Sequence, residues 1–263
     1  VGAVSSRTPA SAEALAAQVG APVVPLAEVA AHAELILLTV PDDQIRSVVD
    51  ALAKQNHNSG RGFLHTSGAF EASLLAPLAE QGARVGSLHP AFPFADVTVS
   101  LLALPGSTFA YQAEDPALRA QVLGLIASAD GRPLPVPEGQ KARYHAALVL
   151  ASNYTVTLYA LAQSLLLDIG ADRDAANAAL NALVGGTIEN LRLRGIPDAL
   201  TGPLTRGDLG TLQAHLQALT QVEPRLAHLY MELARLSFPM LEARGVETAP
   251  IAALLSGFAA NQE

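Results

Sequence analysis

Apolar residues recur along this chain in two rhythms, and the change from one to the other divides it. Up to about residue 136, short continuous apolar runs alternate with segments that place an apolar residue every three or four positions. That is the signature of strands buried on both faces alternating with helices. Val1 to Val4 reads as a strand, followed by a polar turn (Ser5, Ser6, Arg7, Thr8) and an alanine-rich helix from Ala10 to Gln18 that Thr8 or Ser11 could cap. Ala21 to Pro25 predicts a short strand and Leu26 to His32 a short helix. Glu34 to Val40 (ELILLTV) predicts a doubly covered strand that Pro41 ends. Asp42 or Asp43 then opens a helix through Ala53, with Ile45, Val48, Val49 and Leu52 on one face. Gly62 to His65, Arg84 to Leu88, Ser107 to Gln112 and Pro133 to Val136 predict further strands, with a helix from Pro116 to about Ala129.

From about Glu138 the pattern is helical only. Lys141 to Leu167 predicts one long apolar helix with no Pro or Gly inside it, and Arg173 to Arg194 a second one carrying Gly185 and Gly186. A Gly- and Pro-rich loop covers Gly195 to Asp208. Leu209 to Leu219 and Glu223 to Ala243 predict further helices, the last kinked at Pro239. The expected fold is α/β: a Rossmann-like dinucleotide-binding domain over 1–136, then an all-α domain over 137–263. The strand and glycine-rich turn that normally open such a domain do not precede Val1. Either about 20–30 residues precede Val1 in the native protein, or its pyrophosphate cradle is lost; the first is expected, because losing a central strand exposes two sheet edges.

Composition narrows the class. Half of the 263 residues are hydrophobic and 15% are charged, as in an ordered globular protein. The net charge of −8 argues against nucleic acid as a partner, because phosphate binding needs a basic stripe. No apolar run approaches the roughly 20 residues that span a bilayer, so no membrane partner is expected. The chain has no cysteine, which removes disulfides and thiolate catalysis and fits a cytoplasmic protein. No His-x-x-x-His or carboxylate cluster has metal-ligand spacing, so no metal is expected. Ser67 lies in TSG without the G-x-S-x-G elbow of a hydrolase nucleophile.

Ligands of open α/β sheets bind at the carboxyl ends of the strands. Those ends carry Ser6-Arg7-Thr8, Thr39-Val40-Pro41-Asp42, His65-Thr66-Ser67-Gly68 and His89-Pro90. At the end of the second strand an acidic residue binds the ribose of NAD, whereas an Arg accommodates the 2′-phosphate of NADP. Arg7 stands there, and no carboxylate follows until Glu13. Ser6 and Thr8 are equally what a helix cap requires, and His65 and His89 are also residues that fill structural hydrogen-bonding roles. In the helical half, Lys141 and His145 stand four apart on one face, and Asn153 falls near it among apolar neighbours. Lys141, Arg143 and His145 also read simply as solvated first turns. Thr201, Thr205, Arg206, Asp208 and His215 surround a Gly-Pro turn, where Asp208 could cap the next helix and pair with Arg206.

Taken in order, SSRT, TVPD, HTSG, SLHPAFPF, KARYHAALVLASNYTVTLYA and TGPLTRGD with His215 resemble a bacterial family. That family joins a Rossmann-like domain to a C-terminal domain of unknown function numbered 2520, and the likeness runs from about Val1 to Gly245. It is similar to pyrroline-5-carboxylate reductase, F420-dependent NADP reductase and the β-hydroxyacid dehydrogenases related to 6-phosphogluconate dehydrogenase. The resemblance implies an NADP(H)-dependent oxidoreductase acting on a small carbonyl, imine or hydroxy compound. It also implies a homodimer formed through the helical domain, an expectation that the apolar circumference of the long helix shares. On this basis Ser6, Arg7 and Thr8 match the 2′-phosphate loop. Thr39, Val40 and Pro41 match the strand end along the cofactor, and His65, Ser67 and His89 match positions lining the nicotinamide pocket. Lys141 resembles the lysine that polarises the substrate oxygen, with His145, His89 and Asn153 as orienting groups. Thr201, Gly202 and Pro203, with Arg206, resemble the loop that closes the substrate site. A non-catalytic NADP(H)-binding sensor or scaffold is the other reading left open.

Overall fold

A computed structural model describes residues 1–55 and 57–260. The chain divides into two compact units, Val1–Leu158 and Tyr159–Glu263. In the first, helices α1 (Pro9–Val19) and α2 (Val29–His32) precede strand β1 (Leu35–Leu38). There follow α3 (Asp42–Leu52), β2 (Gly62–His65), α4 (Ala76–Ala79), β3 (Arg84–Pro90), α5 (Val97–Ala103), β4 (Thr108–Ala113), α6 (Pro116–Ser128) and β5 (Arg132–Pro135). The strands form one five-stranded sheet in the order β1-β2-β3-β4-β5. All neighbours are parallel except β3 and β4. This is a Rossmann-like α/β architecture with a helical C-terminal region, as the alternating pattern predicts.

Alternation along the strands builds the core. Phe63 and Leu64 are adjacent in β2 and point to opposite faces. Phe63 packs with Ile36, Leu38, Ile45, Val49, Leu52, Leu75 and Leu78. Leu64 packs with Leu88, Phe109, Leu118, Val122 and Ile126 beneath α6. Gly86 allows β3 and β4 to close, because a Cβ there would lie 2.4 Å from the Gln112 carbonyl oxygen. The expected opening strand, Val1 to Val4, is reduced to a single parallel bridge between Val4 and Val23. It is held by Val4 N–H to Pro22 O and Val24 N–H to Val4 O, both at 2.9 Å.

The long helix expected from Lys141 to Leu167 is two helices, α7 (Lys141–Ala151) and α8 (Asn153–Asp168). Ser152 between them is distorted (φ −111°, ψ −70°) but stays in the right-handed region, its N–H on Leu148 O and its carbonyl taking the Val156 N–H. On the C-terminal side of the break Thr155 Oγ1 donates to Ala151 O and Thr157 Oγ1 to Asn153 O, the back-bonding that bends helices.

In the second unit, α9 (Arg173–Arg194) is capped by Asp172. It is followed by α10 (Leu209–Val222), α11 (Pro224–Leu236), α12 (Phe238–Ala243) and α13 (Ala249–Ala260). Leu212, Leu216, Ala227, Met231, Ala234, Leu241, Ile251 and Leu255 form its core. The single helix expected over Glu223 to Ala243 is interrupted at Ser237. Pro239 thereby falls in the first turn of α12, where its missing N–H costs nothing. No helix among the described residues is long and apolar enough to cross a membrane.

Candidate functional site

The parallel register aligns Leu38, His65 and Ser87 across β1, β2 and β3. The three strands therefore deliver Thr39 to Asp42, Thr66 to Gly68 and His89 to the same end of the sheet. The segment after β2 is held by its own side chains. Ser67 Oγ donates to Asp42 Oδ2 at 2.8 Å and accepts the N–H groups of Ala69 and Phe70 at 3.1 and 3.2 Å. His65 is fully buried. Its Nδ1 accepts the Ser67 N–H at 3.2 Å, so Nε2 must carry the proton it gives to Glu71 O at 3.0 Å. Burial lowers the pKa of this imidazole, partly offset by the bond to Glu71.

Lys141, the first residue of α7, is also fully buried. Its Nζ donates to Ser67 O at 2.8 Å and lies 5.6 Å from the centre of the Tyr144 ring. Burial lowers its pKa to about 8, against the pull of the Glu71 and Asp42 carboxylates. One turn along α7, the Tyr144 hydroxyl meets His89 Nδ1 at 2.9 Å. His145 stands edge-on to the His89 ring, with centres 6.2 Å apart. Burial, then the charges of Lys141 and His145, lower His89 to about 4, and burial raises Tyr144 to about 12. Near neutral pH the His89–Tyr144 pair is therefore uncharged beside a lysine that can carry or lose a proton. Gly68 is the floor of this cluster: a Cβ there would lie 2.7 Å from His145 Cδ2 and 2.8 Å from His89 Nε2.

A second layer fixes α7. Glu71 Oε1 accepts the Lys141 N–H at 3.0 Å and Oε2 accepts Gln112 Nε2–H at 2.6 Å. Gln112 Nε2 also donates to Pro137 O at 3.2 Å, and its Oε1 accepts the Ala72 N–H at 2.8 Å.

Of the residues singled out by sequence, His65, Ser67, His89, Lys141 and His145 thus come together, with Asp42 at the edge. Asn153 opens α8, exposed and beyond the break at Ser152. Ser6, Arg7 and Thr8 are exposed before α1. Ser6 Oγ accepts the Thr8 N–H at 3.2 Å, and Thr8, although at the cap position, makes no side-chain cap bond. Thr39 and Pro41 are exposed and Val40 is half-buried before α3. Thr201, Gly202, Pro203 and Arg206 lie in the second unit, where Thr205 Oγ1 donates to Gly202 O at 2.8 Å. Thr201 and Pro203 line one small cavity there and Arg206 another, of about 320 Å³, beside Glu247 and Ile251. Asp208 caps α10 through Thr211, and no Arg206–Asp208 ion pair occurs among the described residues. Glu71 and Gln112 lie in no motif, and Tyr144, inside the segment KARYHAALVL, has no role that its sequence position announces.

Comparison with known proteins gives the class first. Residues 1–90 match a Rossmann-like domain, and residues 107–237 match a domain of unknown function, DUF2520. This chain is a Rossmann-like protein carrying a DUF2520 domain. A search of curated proteins gives no match. Among solved structures it is similar to a Thermotoga maritima protein (23% identity, TM-score 0.74, covering 91% of this chain and 90% of the other). It is similar to a Bacteroides fragilis protein provisionally assigned as an NADP oxidoreductase (26%, 0.66, 89% and 87%). It also resembles an imine reductase from Myxococcus stipitatus in complex with NADP+ (16%, 0.61, 90% and 86%).

Proposed function

We propose that this protein is an NADP(H)-dependent oxidoreductase that reduces, or forms by oxidation, a small carbonyl, imine or hydroxy compound. The observation that carries the reading is the buried Lys141 ammonium, held against a strand-end carbonyl beside the uncharged His89–Tyr144 pair. Buried ionisable groups with shifted pKa values at the mouth of an α/β sheet are the usual furniture of proton-transfer sites. The residues present fit the cofactor. Arg7 offers an exposed guanidinium with no ion pair among the described residues, flanked by the Ser6 and Thr8 hydroxyls at the start of α1. In this reading Ser6, Arg7 and Thr8 hold the 2′-phosphate, and Thr39, Val40 and Pro41 border the cofactor. When bound, the cofactor supplies the hydride. Lys141 polarises the substrate oxygen or nitrogen and is the group able to give it a proton, while the uncharged His89, fixed through Nδ1 by Tyr144, turns Nε2 to the same space as a hydrogen-bonding partner. His145 closes the same side, while His65 and Ser67 shape the loop beneath.

The provisionally assigned NADP oxidoreductase and the NADP+-bound imine reductase support the cofactor and the reaction class. The domain assignment follows the same lines, with 1–136 serving the cofactor and 137–263 the substrate and self-association. Thr201, Gly202, Pro203 and Arg206 are the substrate-contacting candidates of the second unit. Asn153 is kept as an orienting group. We also propose a homodimer through the helical region, because α8 buries none of its 16 residues while exposing Tyr154, Val156 and Leu158.

The test is the Lys141→Met variant assayed against a panel of small imines, ketones and hydroxy acids with NADPH. Loss of turnover with cofactor affinity retained supports the assignment; unchanged turnover rejects it. A second reading, a cofactor-binding sensor without turnover, draws on the complete burial of Lys141. It requires NADPH binding with no oxidation by any substrate in the panel.

A further inference from the structure

Helix α7 begins without a capping residue of its own. Gln140 occupies the cap position but makes no side-chain cap bond, and the first turn contains no acidic residue. The missing acceptor arrives from a position 70 residues earlier: Glu71 Oε1 takes the Lys141 N–H at 3.0 Å. A carboxylate at a helix N-terminus is favoured both by the unpaired N–H groups and by the helix dipole.

The same side chain is bound at every end. Its second oxygen takes the buried Gln112 amide from β4, and its backbone carbonyl takes the His65 Nε2–H from β2. Gln112 in turn spends its remaining donor on Pro137 and its acceptor on Ala72, so all its hydrogen-bonding groups are occupied within this clamp. Three otherwise separate pieces of chain thereby meet at one carboxylate: the loop after β2, strand β4 and the start of α7. The residue so anchored is Lys141, whose Nζ returns to Ser67 O in that loop. A cap supplied by Asp or Ser at 140 would satisfy the helix equally well without fixing it to the loop.

We propose that Glu71, clamped by Gln112, is a positioning residue for Lys141. It locks the start of α7 to the loop after β2 and provides the counter-charge that keeps the lysine ionisable where it is buried. The charged and titratable groups facing Lys141 are Asp42 from α3, His65 and Glu71 around the β2 loop, His89 from β3, and Tyr144 and His145 from α7 itself. Of these, Glu71 and Asp42 favour the ammonium, and burial opposes it. Glu71 itself stays ionised: burial pushes its pKa up, but the Gln112 amide, the Lys141 and Gly139 N–H groups and the Lys141 charge together bring it below the usual value. This inference deepens the reading of Lys141 given above, yet its test needs neither cofactor nor substrate.

The chain has only two lysines, Lys54 and Lys141. Lysine labelled with carbon-13 at Cε therefore gives two NMR signals, which Lys141→Met assigns. In the wild-type protein the Lys141 signal should titrate near pH 8. In Glu71→Gln, which keeps the carbonyl acceptor and removes the charge, the Lys141 midpoint should move to lower pH. Gln112→Leu should move it in the same direction by releasing the carboxylate. A purely architectural role would leave the midpoint in place. An unmoved Lys141 midpoint in whichever of the two variants folds overturns the proposal, whether or not the protein proves to be an enzyme.

Discussion

Lys141 Nζ donates to the backbone oxygen of Ser67, 74 positions earlier, and is sealed from solvent while doing so. The bond ties the helix that follows the sheet to the segment that leaves β2. It also leaves an ammonium in a place where burial lowers its pKa to about 8.

That depression has a thermodynamic sign. Between about pH 8 and the ordinary lysine range the unfolded chain binds a proton that the folded one does not, so this group makes stability rise with pH there. Below about pH 8 the full penalty stands, on the scale of about 1.4 kcal/mol per pKa unit. Denaturant unfolding at pH 7.5 and 10 should show Lys141→Met gaining stability over the wild type at the lower pH, with the gap narrowing at the higher.

His89 works in the acid range. Its folded pKa of about 4 lies below the ordinary 6.5, so the unfolded chain protonates first and stability falls as pH drops through that window. His89→Asn should lose about 1–3 kcal/mol less than the wild type between pH 7 and pH 4. His65 shifts in the same direction in both proteins and cancels in the comparison. Equal losses would show that His89 titrates normally.

Gly68→Ala tests the floor of the cluster. The three atoms nearest the new methyl all belong to the imidazoles of His145 and His89. The fold should survive with a cost of about 1–3 kcal/mol, as for other overpacked sites. The His89 and His145 NMR signals should shift, and turnover should fall more than stability does. Retained histidine shifts would mean the rings are not confined there.

Arg7→Ala should weaken NADPH binding about 10- to 100-fold, the worth of a charge-assisted hydrogen bond, and leave NADH binding nearly unchanged. Calorimetric titration with both nucleotides reads this directly. Equal losses for the two would remove Arg7 from the 2′-phosphate.

Sedimentation at micromolar concentration addresses self-association. A dimer is expected because α8 presents Tyr154, Val156 and Leu158 to solvent. A monomer at all concentrations would leave that face without a role in homodimerisation.

Periodicity made some elements plain. The run GFLH predicts β2 with the bounds it has, and the pattern from Arg173 to Arg194 predicts α9 even though it carries Gly185 and Gly186. The break at Ser152 was hidden because rules for helix ends look for Gly and Pro, whereas Thr155 and Thr157 act through hydroxyls bonded one turn back. The site was legible where a side chain ends or follows a strand, and where Lys141 and His145 share one face of a helix. His65, Ser67 and His89 announce themselves that way. Glu71 and Gln112 are 41 positions apart and meet only because β4 folds back antiparallel on β3, a pairing that local pattern does not encode. Tyr144 reads as one more apolar residue in α7 until His89 is brought to its hydroxyl.

The Ser67 hydroxyl gives its hydrogen to Asp42 and receives two amides. Both lone pairs are taken by amides, and the hydrogen is held by a carboxylate rather than by the imidazole that activates a serine nucleophile. Fluorophosphonates and other serine-seeking warheads should therefore pass this protein by, even though its TSG segment sits where an acyl-transfer enzyme would keep its reactive alcohol.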